Sequence, residues 1–117
     1  MYTKIVKAVI LRIAGRPTAI GYRQLTRAVT LVLQSGHTDR NLTTVIYPQI
    51  AKEMGSTPQT VARNIARAVE DCWEHGDRKN LEGIARRRLS EKPSPGELIY
   101  YIYQYCADMQ DNKADRT

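Results

Sequence analysis

The segment Pro48–Gly76, PQIAKEMGSTPQTVARNIARAVEDCWEHG, constrains the fold of this chain more than any other. Ile50, Ala51 and Met54 place apolar groups on one side of a short helix. Pro48 fits its first turn, where the missing N–H is not needed. Gly55 stops that helix, because a residue that reaches positive φ without strain is what a helix C-terminus needs. Thr57 then supplies a hydroxyl cap and Pro58 takes the first helical position, so a second helix starts at once. It is expected to end near His75, with Gly76 as the stop.

The spacing is more telling than the composition. In many helix-turn-helix units a small residue sits four before the turn glycine and an apolar one six after it. Ala51, Gly55 and Val61 occupy those places. The small residue lets two backbones approach, and the apolar one plugs the angle between the helices. Three residues past Val61 the pattern prefers an apolar side chain; this chain has Asn64, and Ile65 must take its place.

At 100° per residue, Val61, Ile65, Ala68, Val69 and Cys72 cluster on one side of the second helix, flanked by Ala62, Ala66 and Trp73. Gln59, Thr60, Arg63, Asn64 and Arg67 lie opposite, all in the N-terminal half. Glu70, Asp71 and Glu74 share that outer side further along. A recognition helix enters the major groove with its N-terminal part. Arg, Asn and Gln are the side chains that pair bidentately with guanine or adenine edges, whereas acids are repelled by phosphate. The plainer reading is an amphipathic helix with a mixed, solvated face.

The chain resembles the DNA-binding C-terminal domain of the sporulation initiation response regulators of spore-forming Firmicutes. The likeness starts at Gly21-Tyr22, runs through Leu25, Ala28 and Leu42-Thr43, and reaches Tyr47-Pro48-Gln49-Ile50-Ala51. It is closest in Thr57-Pro58, Val61, Arg63, Ile65, Ala68-Val69-Glu70, Trp73 and Gly76. It fades after Leu81 and returns between Ser94 and Ile102. The resemblance implies a compact all-helical domain that binds short promoter elements through the second helix of its helix-turn-helix. Two departures stand out. The family has Glu-Arg where this chain has Ala62-Arg63, and Arg-His where it has Ala66-Arg67. Arg63 carries over directly; the neighbouring acidic and imidazole groups do not. The family also places a phosphorylatable receiver domain ahead of this one, for which this chain has no room.

Composition agrees with an anionic partner. The chain has 117 residues and a formal charge of +6, with a pI near 9.5, which suits one domain with its own core. No Asp or Glu precedes Asp39, so Lys4, Lys7, Arg12, Arg16, Arg23 and Arg27 stand unopposed at the start of the sequence. That charge reads as a phosphate-facing surface. The competing readings are a membrane-lying or transit helix and a docking helix with solvated lysines; docking with some phosphate contact is preferred. Cys72 and Cys106 fall on apolar stripes and read as free core thiols in a reducing, cytoplasmic compartment. No Cys/His spacing suggests a metal, and His37 and His75 stand alone.

The rest of the chain reads as helices too. The first is expected over Thr3 to Ala14, with Ile5, Val6, Val9, Ile10 and Ile13 inward. The second is expected over Tyr22 to Gln34, after Gly21, with Tyr22, Leu25, Val29 and Val32 as its stripe and Ser35-Gly36 as its end. Asp39 to Thr44 connects to the helix-turn-helix, with an extra turn at Thr44 to Tyr47. Asn80 is a candidate cap for a short helix bearing Leu81, Ile84, Ala85 and Leu89, which ends in Arg86, Arg87 and Arg88. Ser94-Pro95-Gly96-Glu97 reads as a capping box that opens the last helix. Its stripe is read as Leu98, Ile102, Tyr105 and Met109, with Ile99 and Cys106, and Tyr100 outward. Residues 110–117 form a polar tail expected to fray.

The expectation is therefore an all-α bundle of about six helices in one domain, residues 1–109, with the helix-turn-helix near 48–76. It is a non-enzymatic regulator of double-stranded DNA, without cofactor, metal or membrane contact. Arg63 reads a base, and Gln59, Thr60, Asn64 and Arg67 contact bases or backbone. Amides from Thr57 to Gln59, with Lys4, Arg23, Arg86 and Arg87, hold phosphates. The chain is expected to be a monomer that pairs only on DNA with adjacent sites. The alternative is a protein-interaction module that keeps the fold without specific DNA binding, a reading that Ala62 and Ala66 favour.

Overall fold

Among the described residues six α-helices follow one another: α1 (Thr3–Leu11), α2 (Ile20–Ser35), α3 (Tyr47–Met54), α4 (Pro58–His75), α5 (Arg78–Ala85) and α6 (Pro95–Asp115). A computed structural model describes residues 2–35 and 41–115, with side chains as far as Gln110. No strand occurs among the described residues. Gly36, His37 and Asp39, to which an expected helix end, a lone histidine and the start of a loop were assigned, lie outside them.

The fold is built around α2, which packs against α1, α3, α4 and α6. Its expected stripe, Tyr22, Leu25, Val29 and Val32, is buried. So are Gln24 and Thr30, which no single stripe contains, because a helix with neighbours on several sides is covered over more than one face. Thr30 tolerates this by donating its hydroxyl to the Thr26 carbonyl at 2.8 Å. Gly21 lies inside α2 rather than ahead of it. A Cβ there would stand 2.2 Å from the Asn64 carbonyl oxygen, so glycine is what lets α2 and α4 touch backbone to backbone.

Caps explain most helix ends. Gly55 closes α3 at φ 64°, with its N–H donating to the Ala51 carbonyl, and the Ser56 N–H joins it at 2.8 Å. This is the closure a left-handed residue allows. Thr57, in extended conformation, accepts from the Thr60 N–H at 3.1 Å and opens α4. Ser94 and Glu97 form the reciprocal capping box: the Ser94 N–H donates to Glu97 Oε1 at 2.9 Å, and the Glu97 N–H to Ser94 Oγ at 3.1 Å. These hydrogen bonds hold the Glu97 carboxyl below its ordinary pKa.

Several expectations shift. α1 stops at Leu11 rather than Ala14, although Ile13 is still fully buried in the turn that follows. The extra turn before α3 is π-helical, Leu42–Ile46, and runs straight into α3. Asp77, not Asn80, caps α5 by accepting from the Asn80 N–H at 2.9 Å. Asn80 instead donates its amide to the Arg12 carbonyl at 3.0 Å. An Asp three residues earlier outcompetes it because the cap must lie outside the helix it closes. α5 also ends before Leu89, at Arg86, whose φ of 60° is left-handed without a glycine. In α6 the buried stripe is Leu98, Ile99, Ile102 and Cys106; Met109, expected inside, is 39% exposed. The backbone of α6 stays helical to Asp115.

Candidate nucleic-acid interface

The inner side of α4 matches the periodicity: Val61, Ile65, Ala68, Val69 and Cys72 are its buried residues. Ala51 on α3 and Val61 on α4 are both buried where the two helices meet, and Ile65 fills the place that Asn64 leaves open. Asn64 is half-buried, its backbone pressed against Gly21. Gln59, Thr60, Arg63 and Arg67 are exposed. The five residues thus share one face, with Asn64 at its edge.

No described residue neutralises the N-terminal half of this face. Arg63 and Arg67 form no hydrogen bond or ion pair with any described residue. The first turn of α4 holds no acid. The Thr57 hydroxyl also donates to the Thr60 hydroxyl at 2.9 Å. The N-terminus of α4 therefore offers helix amides, the positive end of the helix dipole and two free guanidiniums on one surface, an arrangement suited to a polyanion.

The acids of the C-terminal half behave differently from one another. Glu70 and Glu74 are exposed as expected. Asp71 is not a free outer acid: it accepts from the Tyr22 hydroxyl at 2.6 Å and from the Arg16 N–H at 2.8 Å. Burial pushes its carboxyl up, but these hydrogen bonds and the nearby His75 and Arg16 outweigh that, and its pKa lies below the ordinary value. Burial and the bond to Asp71 together raise the Tyr22 phenol. Tyr22 also accepts from the Gly15 N–H at 3.2 Å. Nearby, the Cys72 thiol donates to the Ile13 carbonyl at 3.1 Å. The α1–α2 loop is thereby tied to the back of α4. Partners this distant in sequence leave no periodic signal, so the residues alone do not reveal them.

Not all the early cations are free. Arg27 makes a bidentate pair with Glu53 on α3, both contacts at 2.7 Å, and Gln49 donates to the same carboxylate at 3.0 Å. Arg12 donates to the Tyr105 hydroxyl at 3.1 Å and lies over that ring. Lys4, Lys7 and Arg23 are exposed, with no hydrogen bond or ion pair to a described residue. Arg86 is ion-paired to Asp108 on α6. Arg87 sits 5.7 Å from the centre of the Tyr101 ring; the Glu97 carboxylate is close enough to interact with its charge, without forming an ion pair. Among the described residues, no three Asp, Glu, His or Cys side chains gather as a metal site would need, and no helix is long and apolar enough to cross a membrane. Cys72 and Cys106 are free and buried, as read from their stripes.

The family model of the sporulation initiation factor Spo0A C-terminal region aligns with residues 6–106, from α1 to the buried part of α6.

Proposed function

Because this chain belongs to the family of Spo0A C-terminal regions, which are DNA-binding transcription-regulator domains of sporulation, we propose that it binds duplex DNA sequence-specifically with α4 in the major groove. The observation that carries the proposal is the exposed, acid-free N-terminal half of α4 with Arg63 and Arg67 unpaired. Arg63 reads a base edge, with guanine as the geometric match. Gln59, Thr60, Asn64 and Arg67 contact neighbouring bases or backbone. The N–H groups of Thr57 and Gln59, on either side of Pro58, which has none, seat a phosphate. Lys4, Arg23 and Arg87 contact phosphates on either side, and Arg86 joins them by exchanging Asp108 for phosphate. The protein acts in the cytoplasm on chromosomal promoters.

Binding of labelled duplexes, measured across salt and across sequence, tests this. Affinity should fall by roughly 10³ between 50 and 200 mM salt if about six phosphates are engaged. Arg63→Ala should cost ~1–3 kcal/mol on a selected site and relax preference at one base pair, while Arg87→Ala weakens every sequence alike. Affinity that is flat with salt would instead favour a protein-interaction module that shares the fold, a reading to which the half-buried Ala62 and the exposed Ala66 on α4 lend weight.

A further inference from the structure

A crevice of about 250 Å³ lies between α1, α2 and the end of α3, away from the base-reading side chains. Its apolar wall is Ile10, Leu11, Pro17 and Met54, and its polar wall includes Lys7 and Arg23. Leu11 is 52% exposed, so the apolar surface is open to solvent rather than sealed in the core.

The hydrogen-bonding inventory restricts what this crevice can hold. The Thr26 and Thr30 hydroxyl hydrogens are committed to the Tyr22 and Thr26 carbonyls, each at 2.8 Å. The Tyr22 hydroxyl is committed to Asp71. Arg27, also on the wall, is held by Glu53 and brings no net charge. The amides along α2 are committed to helix bonds, whereas phosphate usually seats on free amides. What remains is the Lys7 ammonium and the Arg23 fork, beside the Thr3 hydroxyl at the start of α1, with no acid among the lining residues. Such a fork matches a carboxylate. The volume is below that of a drug-sized site and suits a ligand of about ten non-hydrogen atoms.

We propose that this crevice binds a small amphipathic carboxylate, its head on Lys7 and Arg23 and its alkyl body against Ile10, Leu11 and Met54. Met54 is the last residue of α3, directly before the Gly55 turn, so the ligand bridges the N-terminal helices to the first helix of the DNA-binding unit. Arg23 is also a phosphate contact in the proposed DNA complex, so the two ligands would compete for it; the proposal does not require DNA binding and is tested without DNA.

Octanoate serves as the probe, titrated into the full chain and followed by amide chemical shifts and thermal unfolding. A ligand of this size should bind with a dissociation constant on the order of 0.1–1 mM. Saturable shifts are expected at Lys7, Leu11, Arg23 and Met54 and not across Gln59 to Arg67, with a melting temperature that rises with ligand. Octylammonium, with the same tail and the opposite charge, should bind at least about tenfold more weakly. Leu11→Glu, at an exposed position and with its folding checked by circular dichroism, and Lys7→Gln/Arg23→Gln should each lower octanoate affinity about tenfold or more. Non-saturable shifts, equal binding of octylammonium, or tight binding of an acidic leucine-containing peptide without octanoate binding would each overturn the assignment.

Discussion

Gly21, rather than any base reader, sets how α4 is seated. With 2.2 Å between a would-be Cβ and the Asn64 carbonyl, the obstacle is backbone and cannot swing aside. Gly21→Ala should therefore destabilise by about 3 kcal/mol, at the upper end for overpacking, as read from urea unfolding. A loss under about 0.5 kcal/mol would mean that the helices separate freely. The two thiols make a second residue-scale test. Burial first, and the Asp71 charge after it, push Cys72 up to about 12, against a smaller opposing effect of Arg78; burial raises Cys106 to about 11. The thiolate is the reactive form. At pH 8 both should resist a disulfide reagent in the native protein and react within seconds in denaturant; rapid native reaction of either would contradict its burial.

At the scale of elements, the Arg27–Glu53 pair couples α2 to α3. Hydrogen bonds from Arg27 and then Gln49 bring the Glu53 carboxyl down to about 2. A carboxyl depressed on folding stabilises the native state above its unfolded pKa, near 4.3, and that stabilisation is lost as pH falls through about 2. Side-chain exposures of 31% and 29% keep the pair partly in water, so its contribution is held to ~1 kcal/mol. Glu53→Gln should flatten the stability profile between about pH 4.5 and 2 by that amount and leave its shape above pH 5 unchanged. Parallel profiles for the two proteins would show that the pair contributes nothing. A second coupling joins α4 to α5: the Arg78 guanidinium lies 3.2 Å from the Trp73 ring centroid and donates to the Trp73 carbonyl at 2.8 Å. It holds the helix that carries the candidate readers to the one that follows it.

For the whole molecule, the question is association. Tyr100 and Met109 on α6 are 41% and 39% exposed, and the Tyr100 ring meets the rings of Tyr101 and Tyr103. Two isolated side chains of this kind fall short of the area a stable interface needs. Light scattering at micromolar concentration should therefore report a monomer, and pairing should appear only on a duplex with two adjacent sites, where closeness raises the effective concentration. A dimer without DNA would place a pairing surface on α6.

Local physics made much of this protein readable from its residues. Gly55, Thr57-Pro58 and Ser94–Glu97 act within one turn of themselves, so the boundaries of α3, α4 and α6 were legible where caps govern them. The 3.6-residue period likewise assigned the buried face of α4 correctly, residue for residue, but not the whole outer face, where Asn64 and Asp71 are half-buried. Tertiary structure decided what depends on partners far along the chain. It buried Gln24 and Thr30, because α2 has neighbours on several sides. It drew Asp71 back to Tyr22 and Arg16, and paired Arg27 with Glu53 and Arg86 with Asp108. A charge count along the sequence treats all such groups as free. Only packing determines which cations stay unpaired, because an ion pair needs two side chains within a few ångströms, and sequence distance says nothing about that.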